Sequence, residues 1–407
     1  MKIALVHDWL VRLGGAERVL IALHRIFPEA SIHTLFYERS FTDRHLPGAE
    51  IRPSFLQKVP NIKKTYPWFK IFMPVAIESL DLSGFDLVIS SSHEVAHGVI
   101  VKPGTRHLAY YHSPSRLLWD RTHEYLEDFR KRKNDPVKLS LIRAGQHLLR
   151  LWDWSAGKRP DVVVANSKHV AQRIKKYYDR EARIVYPPVA VPEHLSRSFS
   201  AAPAAASEGV GRFVPPVAGT EPKRPPTRST NIPARLLENY FLVVSQLYPH
   251  KNLELAVQTF KNLPELDLTI IGQGPERRRL KRMIGGSGNI RLLGFVSDEE
   301  LSGYYRNCLA YLICNEEDFG ISPVEAMMHG KPVLALRRGG SMETVIEGKI
   351  GEFFDEESGE SLAAAVRSIH ENIKQGCYDS RKIIEHAQRF GFDRFKKEIL
   401  AIVNEIR

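Results

Sequence analysis

The sequence predicts an α/β protein of two doubly wound domains, each built on a parallel sheet. Three observations carry that prediction. Short apolar runs alternate with stretches of helical periodicity. The alternation occurs twice, once on each side of a segment rich in proline and alanine. The 407 residues are enough for two domains of ordinary size.

In the first half, Lys2–His7 reads as an opening strand, followed by a Gly-Gly turn and a helical pattern from about Gly15 to Phe27. Asp86–Ser91, Arg106–His112, Asp161–Asn166 and Ala182–Tyr186 read as further buried strands, with a helix over Lys168–Tyr178. This domain is expected to span 1–195. Residues 196–238 hold 7 of the 25 prolines and show little apolar periodicity, so they read as a flexible linker or insertion. The second domain is expected over 239–390. Its strands are Tyr240–Gln246, Asp267–Gly272, Ile290–Gly294, Ala310–Cys314 and Pro332–Leu336. Helices fit at 252–262, 275–285, 298–307, 322–329, 340–347, 358–373 and 380–390. A last helix within 391–407 is free to pack back on the first domain. Strands alternating with helices wind a parallel sheet, and such sheets bind ligands beyond the carboxyl ends of their strands.

Composition narrows the function. Hydrophobic residues at 43% and charged residues at 26% exclude a mostly disordered chain. No apolar run approaches the ~20 residues that span a bilayer. Met1–His7 is too short for a signal peptide, so a cytoplasmic location is expected, with peripheral contact at the inner face of the membrane. Cys308, Cys314 and Cys377 form no CxxC pair, which argues against a disulfide framework or zinc site. The net charge is +11 and uneven: 30 basic and 20 acidic residues in 1–195, against 22 and 24 in 239–407. A basic half implies anionic partners. Nucleic acid is set aside because no helix-turn-helix or RNP signature is present. No GxxxxGK[ST] loop exists, which argues against a P-loop NTPase.

The most informative segment is Asn315–Lys331, NEEDFGISPVEAMMHGK, directly after a strand. Ser322, Pro323 and Glu325 have the spacing of a helix start with a capping box. The competing reading puts that helix N-terminus in a cleft, where its free N–H groups hold a phosphate. Glu325 then accepts from ribose hydroxyls and Glu317 from a sugar hydroxyl.

Several segments resemble family 4 retaining glycosyltransferases, which have the two-domain GT-B fold. Glu317 and Glu325 match the E-x7-E signature. Gly14-Gly15-Ala16-Glu17-Arg18, Tyr111-His112-Ser113-Pro114, Ala165-Asn166-Ser167, Tyr186-Pro187-Pro188-Val189, Gly272-x-Gly274-Pro275-Glu276 and Gly339-Gly340-x-x-Glu343 match further family segments. The nearest look is to bacterial mannosyltransferase-like enzymes of polysaccharide and O-antigen assembly. The resemblance implies a nucleotide-sugar donor such as GDP- or UDP-hexose, a lipid-linked or glycan acceptor, no cofactor and no metal. It implies catalytic roles for His112 and Glu317. Donor binding falls to Gly15, Gln246, Lys251, Phe319, Gly320, Ile321 and Glu325, and the acceptor side to Asp8 and Arg116. Family members usually carry Arg where this chain has Gln246, and Arg337 or Arg338 is expected to compensate.

Two alternatives stay open on these residues: an epimerase or phosphorylase of the same fold, and a non-catalytic nucleotide-sugar binder. Residues 52–70 carry five basic residues and no acidic one, interleaved with Phe55, Tyr66, Trp68 and Phe69. Residues 121–159 add an amphipathic helix through Leu139, Ile142, Leu148, Leu149, Leu151, Trp152 and Trp154. Either segment suits an anionic membrane surface or ordinary packing on the first domain.

Overall fold

In a computed structural model, which describes residues 1–133, 135–189 and 239–406, the strands form two separate sheets in which every pairing is parallel. The first sheet comprises β1 (Ile3–His7), β2 (Ser31–Thr34), β3 (Ile51–Pro53), β4 (Leu87–Ser92), β5 (Arg106–Tyr111), β6 (Val162–Ala165) and β7 (Arg183–Ile184). Their order is β3-β2-β1-β4-β5-β6-β7. The second comprises β8 (Tyr240–Val244), β9 (Asp267–Ile271), β10 (Ile290–Leu293), β11 (Cys308–Ile313), β12 (Val333–Leu336) and β13 (Gly351–Phe354), in the order β10-β9-β8-β11-β12-β13. The segment 196–238 lies outside the described residues.

The apolar runs become strands because both faces of each sheet are covered. β4 is buried along its whole length. Leu5, Leu87, Ile89 and Leu108 pack on one side of the first sheet, and Ala4, Val6 and Val88 on the other. The helix Phe392–Glu405 supplies Phe395, Ile399, Ile402 and Val403 to the first-sheet core. Its apolar stripe at i, i+4, i+7 and i+8 therefore carries the end of the chain back onto the first domain.

Each sheet reverses strand order once, at β1/β4 and at β8/β11. In open parallel sheets the crevice beyond such a reversal is where ligands bind. The segments that follow β1, β4, β5, β8 and β11 carry Gly15, His93, His112, Gln246, Lys251 and Glu317. Topology alone thus directs the motifs to facing edges of two domains.

Three strands have no counterpart in the sequence reading. β2 has one aliphatic residue, Ile32, and buries Ser31 and His33, whose side chains meet at 3.2 Å. β3 is exposed along most of its three residues, and β13 opens on a glycine. The helix expected at 340–347 is one turn, Ser341–Thr344. The chain leaves it in extended conformation at Val345, which places Val345 and Ile350 in the core.

A long helix, Pro136–Ala156, is fastened to the first domain by polar contacts as well as apolar ones. Asp153 is fully buried and accepts from Trp119 Nε1 at 2.7 Å and Tyr178 Oη at 2.8 Å. Asp153→Ala strands the buried Tyr178 donor and the partly buried Trp119 donor. The expected loss is about 2–5 kcal/mol in urea denaturation; a loss below about 1 kcal/mol shows that water takes over these contacts.

Candidate active site

The two strand-order reversals face each other across a cleft of about 890 Å³. Gly15, His112, Gln246, Lys251, Glu317, Phe319, Gly320, Ile321 and Glu325 all line it. Asp8 and Arg116 do not, and their places are given below.

The helix Ile321–Met328 starts at the floor of the cleft. Gly320 precedes it with φ +86°, a left-handed conformation that favours glycine. No side chain caps the helix. The expected capping box is therefore absent: Ser322 lies inside the first turn and Glu325 is engaged elsewhere. The first N–H groups are left for another acceptor, and the helix dipole favours an anion there. Gly15 approaches from the first domain, where a Cβ would meet Ile321 Cδ1 at 3.2 Å. A Cβ at position 15 would require the Ile321 side chain to shift by a few tenths of an ångström.

Glu317 Oε1 accepts from Lys251 Nζ at 2.7 Å and Asn315 Nδ2 at 3.2 Å. Burial alone would raise this carboxyl, but the Lys251 ammonium outweighs it and holds Glu317 below the usual carboxylate range. Glu325 bonds Arg18 across the cleft, and its other oxygen accepts from Tyr305 Oη at 2.9 Å. Gln246 is exposed in the same cleft. The expected compensation by Arg337 or Arg338 does not occur. Arg337 is bound bidentately by Glu347 at 2.6 and 2.9 Å, Arg338 pairs with Glu357 at 3.2 Å, and neither lines the cleft.

Beside the cleft lies a group of histidines, of which His7 is buried and His93 and His112 are partly buried. Asp8, expected on the acceptor side, is fully buried and does not line the cleft. Its two oxygens accept from the backbone N–H of His93, Glu94, Val95 and Ala96 at 2.7–3.1 Å. It also faces His93 Nδ1 at 2.9 Å. Burial would lower His93, yet the Asp8 carboxylate raises it to about 9. His112 Nε2 meets Ser91 Oγ at 2.8 Å. Burial, and then the His7 and His93 imidazoles, push His112 well below the usual histidine range. His112 thus presents a neutral ring to the cleft, suited to hydrogen-bonding a sugar hydroxyl.

The first domain is tied to the loop 316–320. Arg116, expected on the acceptor side, lies here and reaches Glu316 at 3.8 Å and Asp120 at 3.1 Å. His169 meets Glu316 at 3.0 Å and draws that carboxyl down to about 2. Arg173 is buried and donates to Asp318 at 2.7 Å, Asp120 at 2.9 Å and Ser113 Oγ at 2.6 Å. Glu343 accepts the N–H groups of Lys168 and His169 at 2.8 and 2.9 Å, so the second domain caps a helix of the first.

Comparison with known proteins fits this geometry. Residues 13–191 match the family model described as Glycosyltransferase Family 4, and residues 229–389 match that of Glycosyl transferases group 1. The chain belongs to the family 4 glycosyltransferases. It is similar to mannosylfructose-phosphate synthase of Agrobacterium fabrum, 27% identical over 43% of this chain and 38% of that protein. It is also similar to the GDP-mannose-dependent alpha-(1-6)-phosphatidylinositol monomannoside mannosyltransferase of Mycolicibacterium smegmatis, 29% identical over 33% of this chain and 41% of that one. The matches span less than half the length of these relatives. The structure of HepE from Anabaena in complex with UDP covers all of both chains with a TM-score of 0.66 at 16% identity, and so shares the GT-B fold.

In this family 4 chain, sequence reasoning missed Arg18, Arg173 and Tyr305. Arg173 left a signal, since it shares a helix face with the buried Val170, Ile174 and Tyr178. A charge on an apolar stripe calls for a buried partner. The Asp8–His93 pair makes a pH prediction. Because the folded value of His93 lies above its ordinary 6.5, its stabilisation is full below that value and fades as pH rises toward about 9. Melting temperature should fall from pH 6.5 to 9 in the wild type, and His93→Gln should flatten that slope. An equal slope in both proteins places the titration elsewhere.

Proposed function

We propose that this chain transfers a sugar from a nucleoside diphosphate to an acceptor hydroxyl with retention at the anomeric carbon. The observation that carries the reading is the convergence of an uncapped helix N-terminus, Lys251, Glu317 and Glu325 on one cleft. The uncapped N–H groups and Lys251 supply positive charge for a departing diphosphate. Glu325 is placed to hold ribose hydroxyls, and Glu317 with neutral His112 to hold the transferred sugar. Rate then comes from orienting two substrates between domains already locked in register. With no protein nucleophile assigned, the leaving diphosphate takes the acceptor proton on the same face. A mannose-like donor is favoured because relatives named for mannosyl transfer are among those matched.

A thermal-shift panel of GDP- and UDP-hexoses, followed by product assay on lipid-linked acceptors, tests the reading. Lys251→Ala should lower turnover by roughly 10²–10³. Donor binding without transfer to any acceptor would leave a nucleotide-sugar binder.

The acceptor is proposed to lie in an anionic membrane. Among the described residues no helix is long and apolar enough to cross one. The helix Pro136–Ala156 instead exposes Val137, Leu141, Leu148, Leu151 and Trp154. Ile71, Phe72 and Val75 are exposed as well, and a Cβ on Gly145 of the helix would meet Ile71 Cδ1 at 4.0 Å. Lys138, Arg143 and Lys158 flank the stripe. This surface differs from the one expected. Leu139, Ile142, Leu149 and Trp152 turn at least partly inward. Tyr66 packs on Trp9 at 5.3 Å, Phe69 is partly buried, Phe55 remains exposed, and Trp68 lies outside the described side chains. Replacing Leu148 and Leu151 together with Glu should weaken binding to phosphatidylglycerol vesicles by roughly tenfold or more without lowering the melting temperature. Unchanged vesicle binding removes this face from the membrane.

A further inference from the structure

Arg18 sits in the first turn of the helix Gly15–Ile26, three residues beyond the point where the first domain touches Ile321. It lines the same cleft as Gln246 and Lys251. Its guanidinium bonds one oxygen of Glu325, and Tyr305 occupies the other. A ribose that binds Glu325 therefore competes with a partner already present on each oxygen. Of the two, Arg18 comes from the opposite domain on a long flexible side chain, whereas Tyr305 is buried in the core of the second domain.

Lys251 is the one lysine or arginine that the described second domain brings to this cleft, whereas the first domain brings Arg12, Arg18 and Arg44. Position 246 is a neutral amide, Lys251 is shared with Glu317, and Arg337 and Arg338 are held on the surface. A guanidinium released beside the uncapped helix N-terminus suits phosphate geometry, because its planar fork bonds two oxygens at once.

We propose that Arg18 is a two-position cation, holding Glu325 while the cleft is empty and moving to the donor diphosphate once ribose takes that carboxylate. This rests on the nucleoside-diphosphate reading above. In the transfer step, the bond from the sugar's anomeric carbon to the diphosphate oxygen breaks, and its electron pair goes to the diphosphate. The acceptor oxygen forms the new bond to that carbon, and its proton passes to the leaving diphosphate oxygen. Arg18 steadies the charge and carries no proton. It takes from the first domain the role that an Arg at 246 would play from the second.

The arrangement has a signature that a mere domain latch lacks. A nucleoside without phosphates must break the Arg18–Glu325 pair with nothing in return, whereas a nucleoside diphosphate re-pairs the guanidinium. The observable is the preference for diphosphate over nucleoside. Calorimetric titration of UDP, uridine, GDP and guanosine into the wild type, Arg18→Ala, Arg18→Gln and Arg18→Ala/Gln246→Arg measures it. Both single variants should lose roughly 10–100-fold of that preference, with nucleoside affinity unchanged or raised. Gln246→Arg should restore preference on the Arg18→Ala background. Arg18→Gln retains a polar contact to Glu325 and serves if Arg18→Ala fails to fold. Equal weakening of nucleoside and diphosphate, or an unchanged preference, overturns the proposal. If the wild type binds neither diphosphate, the donor reading fails and this proposal falls with it.

Discussion

The buried guanidinium of Arg173 holds the loop bearing His112 against the loop bearing Glu317. It reaches Ser113 in one domain and Asp318 in the other, with Asp120 completing its partners. A guanidinium this deep needs partners from both sides, because a buried charge left unpaired is strongly destabilising. The two domains are thereby held in one register by chemistry as much as by shape. The cleft between them inherits its dimensions from that register.

The sheets supply the other half of the arrangement. Parallel strands send every functional loop to the same edge, and the reversals at β1/β4 and β8/β11 open the crevices there. The residues brought together are chemically complementary: a helix start without a cap, a lysine on a carboxylate, and a histidine kept neutral by burial and its neighbours. The protonated His93 and the carboxylate of Asp8 lie one layer behind. They shape the turn after β4.

Much of this was legible in the sequence because its signals are local. Apolar runs marked the central strands, and the Glu317–Glu325 spacing marked the loop and helix at the floor of the cleft. Short or polar strands such as Ser31–Thr34 escaped, since they are stabilised by neighbours and not by their own composition. The capping box at Ser322 was a correct local pattern overridden by a distant partner, because Glu325 is drawn to Arg18, 307 positions away. The family resemblance implies an acceptor-side role for Asp8. Only the fold shows that four backbone N–H groups already claim it.

The cap that Glu343 places on the helix Lys168–Tyr178 has a further consequence. The dipole of that helix meets this carboxylate only while the domains are together. Separation would hand the two N–H groups to water and expose the carboxylate to counter-ions. Opening therefore exchanges one set of charge-assisted bonds for solvation, a trade whose balance shifts with the electrolyte. The bonds that hold the cleft closed are thereby made sensitive to ionic strength.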